Sequence, residues 1–284
     1  MNSVNNESWT TVIKPESSLF NLNIKDLWRY RDLIKMFVVR DFVTFYKQTI
    51  LGPLWFIIQP LFTAAMFTFI FSTVAKISTD EIPPMLFYMA GVVNWAYFSE
   101  CLTKTSETFV ANAGVFGKVY FPRLTVPVSV VITSMLRYFI QFTIFIVIYF
   151  IFMYRGYELN PNWMVLLTPV LLLYMAVMSL GFGIWISSVT TKYRDLRFAL
   201  PFFVQLWMYA TPVVYPLSLI PENYKPFLLI NPIVPVMEIF RKAYLGAGTI
   251  DMNSILISIG ITFFILLSGI VVFNRIERTF MDTV

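Results

Sequence analysis

The stretch LWFIIQPLFTAAMFTFIFSTVA, Leu54 to Ala75, carries no ionisable side chain. It has the length, about 20 predominantly apolar residues, that a helix needs to cross a bilayer. Pro60 inside it is tolerable at that depth, where neighbouring helices recover lost backbone hydrogen bonds. Working outward, five further stretches read the same way: Met85 to Cys101, Val128 to Phe152, Trp163 to Val189, Phe198 to Tyr215 and Met252 to Phe273. The second is short and runs into Glu100, and the fifth contains Pro201 and Pro212, so both are expected to be kinked or partly embedded. The chain therefore reads as an all-α integral membrane protein with six transmembrane helices.

Composition agrees. Of 284 residues, 58% are hydrophobic and only 13% charged, about half the roughly 25% of a soluble globular protein. One Cys excludes a disulfide framework or a thiolate zinc site within one chain, and the absence of His excludes imidazole ligands and a His general base. The net charge of +5 is spread between apolar stretches rather than gathered in a patch for nucleic acid. Its distribution reads as topology, because cytoplasmic loops carry the Lys and Arg excess. With the N-terminus inside, fifteen basic residues fall inside and five outside (Lys76, Arg155, Lys225, Arg241 and Lys242), while Arg137 lies within a span. Both termini are expected to be cytoplasmic. The first 48 residues lack the apolar core of a signal peptide.

The segments between the spans are equally informative. Residues 1–23 are polar and without pattern and read as a flexible cytosolic tail. Residues 24–50 form the second unit. Placed on a helix at about 100° per residue, Lys25, Arg29, Asp32, Arg40 and Lys47 share an arc of roughly 80°, while Leu27, Tyr30, Ile34, Phe37, Val38, Phe42 and Phe45 fill another. This amphipathic helix either lies in the headgroup plane or packs as an ordinary cytosolic helix; Arg31 and Asp41 intrude on its apolar arc. Gly52 and Pro53 then break the chain into the first span and open the third unit, residues 51–284.

The inside loop around residues 102–127 interleaves aromatic and basic residues in FGKVYFPR, Phe116 to Arg123. That pattern suits either a short helix offered to a protein partner or basic side chains that meet lipid phosphates. Between the fifth and sixth spans, Pro216, Pro221, Pro226, Pro232 and Pro235 interrupt apolar runs over Pro216 to Ile250. A re-entrant pair of short helices at the outer side satisfies both facts, because irregular backbone at membrane depth survives only where protein covers it or water lines it.

No ATP-binding loop is legible. Gly114 to Val119 has too few residues between its glycines and lacks the Ser or Thr after Lys118. Acids at mid-span, which ion coupling would need, are scarce. Arg137 lies either deep in its span or, if the helix starts near Thr133, at the inner interface by snorkelling. On the first span Trp55, Gln59, Phe62, Thr63, Met66 and Thr73 fall within an arc of about 120°, and Pro201, Gln205, Met208, Tyr209 and Pro212 share a face of the fifth. Rings mixed with uncharged polar groups suit sugars, and they equally suit helix packing and a lipid-belt position.

Four strings are familiar together: YKQTILGPLW (Tyr46 to Trp55), FGKVYFPR, KYRDLRFALPFFVQLWMYATPVVYP (Lys192 to Pro216) and NPIVPVMEIFRKAYLG (Asn231 to Gly246). From about Asp26 to its end the chain resembles the permease subunits of ABC exporters for polysaccharides and polyol phosphates, with the strongest likeness to O-antigen export permeases. The resemblance implies a homodimer of six-span subunits in the cell inner membrane. It also implies two copies of a cytosolic nucleotide-binding subunit that hold the ATP and Mg, with no cofactor on this chain. It matches Asp26 to Lys47 to an interface helix and Leu51 with Gly52 to a loop at the cytosolic entrance. Lys118, Tyr120, Phe121, Pro122 and Arg123 fall in the region that docks on the ATPase, and Pro216 to Ile250 match outer gate helices. Trp55, Gln59, Phe62, Gln205 and Tyr209 are then the expected lining of a channel for lipid-linked polysaccharide. Capsule or teichoic-acid export is the alternative within that class. A membrane transferase acting on lipid-linked glycans, which would need a catalytic acid or base, and a flippase without a nucleotide-binding partner are the alternatives outside it.

Overall fold

The computed structural model describes residues 24–47, 50–193 and 195–283; the expected tail, residues 1–23, lies outside them. Among the described residues every regular element is helical: α1 (Ile24–Arg29), α2 (Arg31–Lys47), α3 (Trp55–Phe67), α4 (Pro84–Ser106), α5 (Thr108–Ala111), α6 (Ala113–Phe116), α7 (Thr125–Tyr154), α8 (Thr168–Lys192), α9 (Leu196–Tyr209), α10 (Lys225–Leu229), α11 (Val234–Leu245) and α12 (Met252–Thr283). Among the described residues four helical stretches are long and apolar enough to cross a membrane: Gly52–Val74, Thr125–Tyr154, Trp163–Thr191 and Met252–Ile276. They coincide with the first, third, fourth and sixth apolar stretches of the sequence.

The other two stretches are helical but different in kind. α9 has 14 residues, about 21 Å at 1.5 Å per residue. It ends before the expected Tyr215 because Pro212 cannot continue it, and the Val213 amide turns back onto the Thr211 carbonyl at 2.6 Å. α4 has 23 residues and includes Asn94, Glu100 and Lys104. It is the central pillar of the subunit, packed against α3, α7, α8, α9 and α11. Polar groups that lipid would reject find protein partners there: buried Asn94 donates to the Ala90 carbonyl at 2.8 Å and accepts from the Tyr138 hydroxyl at 3.3 Å.

Close approach at this pillar depends on a missing side chain. A Cβ on Gly91 would stand 2.8 Å from the Val213 carbonyl oxygen, so the turn after α9 lies directly on α4. The α8–α12 contact follows the same rule, because a Cβ on Gly269 would stand 3.0 Å from the Gly181 carbonyl oxygen. Small residues let membrane helices approach without a hydrophobic driving force.

α1 and α2 continue each other through Tyr30, whose amide bonds to the Asp26 carbonyl and whose carbonyl accepts from Ile34. The apolar arc read from the sequence faces the protein: Leu27, Tyr30, Ile34, Val38 and Phe42 are half-buried and Phe37 is buried, and α2 packs along α7. The Phe45 side chain lies outside the described ones. The outward arc bears Lys25, Arg29, Asp32, Lys35 and Arg40 together with exposed Trp28, Met36 and Val39. Beneath α2 a second apolar cluster gathers Phe37, Phe109, Phe116, Phe121, Ile184 and Phe273, joining it to α5, α6, α8 and α12.

Candidate functional site

The end of the fold where α2 turns into α3 is a junction. At Gly52 the backbone takes φ +49, a left-handed conformation that glycine adopts without strain, and Pro53 starts the turn into α3. Leu51 beside it is exposed. Behind this turn Arg137 is buried within α7 and donates to Glu100 of α4, whose Oε1 also accepts from Lys104 at 2.5 Å. The Arg137 guanidinium lies 5.0 Å from the Phe56 ring centroid of α3. Arg137 therefore does not reach headgroups by snorkelling; it is neutralised inside the protein by a carboxylate from the neighbouring helix.

The loop between α4 and α7 is shorter than the sequence suggests, because α4 continues to Ser106 and the loop is then two helical turns, α5 and α6, followed by Gly117 to Leu124. Of the five residues expected at a docking surface, Lys118 and Tyr120 are exposed, and Pro122 and Arg123 are half-buried. The Arg123 guanidinium lies 5.6 Å from the Phe116 ring. Phe121 is buried, its ring edge-on to Phe37 of α2 at 5.8 Å and 5.5 Å from Phe116. Phe121 thus holds the loop under α2, and the loop exposes Lys118, Val119 and Tyr120. The loop also reaches α9, through an ion pair of Glu107 with Arg197 at 2.9 Å.

The expected lining residues all face outward from the single subunit: Trp55, Gln59 and Phe62 on α3, Gln205 and Tyr209 on α9. Phe62 is 68% exposed and Tyr209 47%, too open for side chains that pack within one subunit. The two sets are not joined into one wall, since α3 and α9 each pack separately against α4. Beyond Phe67 the α3 helix widens to a π-helix over Thr68–Val74, a geometry that recurs at functional sites.

Residues 32–245 match the family described as ABC-2 type transporter, well over half of the chain. The chain belongs to that family. This ABC-2 type transporter chain is 28% identical over 251 residues to an O-antigen export system permease protein, RfbA, of Klebsiella pneumoniae, covering 88% of this chain and 94% of the relative. Its similarity to the RfbA O-antigen export permease of Myxococcus xanthus is 24% over 264 residues, 92% and 98% of the two chains. It is 25% identical to a polysialic acid transport protein, KpsM, of Escherichia coli over 257 residues, 88% and 95% of the two chains.

Polar contacts that sequence reading missed concentrate around α11 of this ABC-2 chain. Arg241 of α11 is 2% exposed, pairs with buried Glu238 at 3.5 Å, donates to the Val213 carbonyl at 2.9 Å and stacks 3.8 Å from the Phe87 ring centroid. Glu238 accepts from the Thr249 amide at 2.8 Å. Asn162 closes the end of α11, its amide and side chain donating to the Ala243 and Lys242 carbonyls at 3.0 and 2.9 Å. The turn between α10 and α11 is held from the other side, where Ser254 and Ser258 of α12 donate to the Leu229 and Pro232 carbonyls at 3.1 and 2.5 Å. The legible signal was the i, i+4 spacing of Ser254, Ser258 and Thr262 on one face of α12.

Proposed function

We propose that this chain is the transmembrane subunit of an ATP-driven exporter that moves lipid-linked polysaccharide of the O-antigen type outward across the cell inner membrane. The observation that carries the reading is the near-full-length likeness to O-antigen export permeases of two genera. In this reading all six apolar stretches cross or enter the bilayer, both termini are cytoplasmic, and Pro216 to Ile250 form a re-entrant pair. The hydroxyls of Ser254 and Ser258 support that last point, because they cover backbone carbonyls that a bilayer would leave unsatisfied.

Two copies of the chain would meet through the outward faces of α3 and α9 and enclose the channel between them. Trp55, Phe62 and Tyr209 supply ring surfaces for sugar faces, and Gln59 and Gln205 supply amides for hydroxyls. Leu51 and Gly52 form the entrance, where the substrate's lipid end is handled. Two copies of a separate ATPase, which hold ATP and Mg, dock on the loop that Lys118 and Tyr120 expose and that Phe121, Pro122 and Arg123 position. Capsule export is a second reading within the same mechanism, favoured by the relative named for polysialic acid transport.

Deletion of the gene tests the function. Surface glycan is expected to disappear while its lipid-linked form accumulates inside the cell, and the chemistry of that intermediate separates O-antigen from capsule. Normal surface glycan with no intracellular accumulation would overturn the reading.

A further inference from the structure

The turn between α10 and α11 contains one side chain whose hydrogen-bonding capacity is completely used. Asn231 accepts from the Trp207 indole at 3.0 Å and from the Ile233 amide at 3.3 Å, and its amide nitrogen donates to the Ala210 carbonyl at 3.2 Å and the Thr211 hydroxyl at 2.9 Å. Trp207 and the Ile233 amide only donate and the Ala210 carbonyl only accepts, so the amide orientation is fixed by chemistry. Asp lacks the two donors, Ser lacks the reach, and Gln displaces the amide by one methylene.

Three of these bonds, to Trp207, Ala210 and Thr211, join the α10–α11 turn to the end of α9, and the fourth, from the Ile233 amide, closes the turn itself. Ala210 closes the C-terminal end of α9, so Asn231 satisfies a carbonyl that the helix leaves without an intrahelical partner. Trp207 sits in the inward face of α9, its ring 5.2 Å from Phe98 and 6.3 Å from Trp95 of α4, and 5.2 Å from Phe182 of α8. The outward face of the same helix carries Gln205 and Tyr209, and its first turn is tied to the cytosolic loop through Arg197 and Glu107. α9 is therefore bonded at its inner end to the loop beside the docking surface and at its outer end to the α10–α11 turn.

We infer that Asn231 is a positioning residue that couples α9 to the outer helix pair, so that a shift of α9 moves the α10–α11 turn and opens the outer end of the path. The inference rests on the export reading above. Its role is in coupling: α12 holds the same turn independently through Ser254 and Ser258, so the fold survives without it.

The test uses the full exporter, permease with its ATPase, in a strain deleted for the permease gene. Restoration of surface glycan by the unaltered permease checks the export reading by itself. Asn231→Leu and Asn231→Asp are then expected to leave the amount of assembled complex and its basal ATP hydrolysis within about twofold while export falls about tenfold, the size of effect a single coupling contact supports. Trp207→Phe removes the indole donor and keeps the ring, and should slow export to a lesser degree. Combined with Asn231→Leu it should add little, because both changes cut the same link. Full export by Asn231→Leu, or a loss of export that follows a matching loss of assembled complex in both Asn231→Leu and Trp207→Phe, would overturn the coupling role.

Discussion

Arg137 shows how a charge survives inside an apolar helix. It lies about 18 Å from the start of α7 at 1.5 Å per residue, where an unpaired charge costs about 3 kcal/mol or more. Glu100 supplies the counter-charge from α4, and the Phe56 face covers the guanidinium. Removing only the carboxylate, by Glu100→Ala, should therefore lower stability by about 3 kcal/mol, whereas Glu100→Ala combined with Arg137→Leu should recover most of that loss. Thermal unfolding in detergent measures both, and a single variant as stable as the double one would show that the pair carries no stability. Both residues were visible in the sequence as rare ions, Glu100 at the end of one apolar stretch and Arg137 within another. Their partnership was not, because it depends on the axial shift between α4, which starts at Pro84, and α7, which starts at Thr125.

At the scale of elements, Leu27, Tyr30, Ile34, Phe37, Val38 and Phe42 along α1 and α2 turn toward the protein, and the sequence pattern left open what they meet. Periodicity assigns a face; it carries no information about whether lipid or protein covers it. The covering elements are α7 and the inside loop, and Phe121 is the ring that closes the contact under Phe37. Phe121→Ala should create a cavity worth about 3 kcal/mol. Unfolding temperature and ATPase co-purification should then fall together, because the loop loses its seat. Tyr120→Ala and Lys118→Glu remove exposed side chains and should reduce co-purification at unchanged unfolding temperature. Normal co-purification in these two variants would move the docking surface elsewhere. Pro122 needs no separate reading, since it lies beside Phe121 in the same turn. The end of α9 was less legible: apolar residues continue to Tyr215, and only the turn at Pro212, seated on Gly91, shows where the helix stops.

The whole molecule presents an imbalance that a single subunit does not resolve. Asn94 and Glu100 of α4 meet polar partners on α7, while α3 and α9 leave Trp55, Gln59, Phe62, Gln205 and Tyr209 exposed. A lipid surface has no hydrogen-bond partner for two glutamine amides, so these faces need either a second copy or a polar substrate. Both conditions are met if two copies stand face to face around a channel. Cross-linking tests the arrangement cleanly, since the chain has one cysteine, Cys101, and it is buried. Cysteines introduced at Phe62 or at Tyr209 in a Cys101→Ser background are expected to link one copy to another under mild oxidation in native membranes. A cysteine at Phe150, on the outward face of α7, should not. The same geometry predicts that Trp55→Ala and Tyr209→Ala slow glycan export by about tenfold each at unchanged subunit level, a change of about 1.4 kcal/mol in the barrier. Cross-links through Phe150 and not through Phe62 or Tyr209, with full export in both alanine variants, would place the dimer contact and the path on another face.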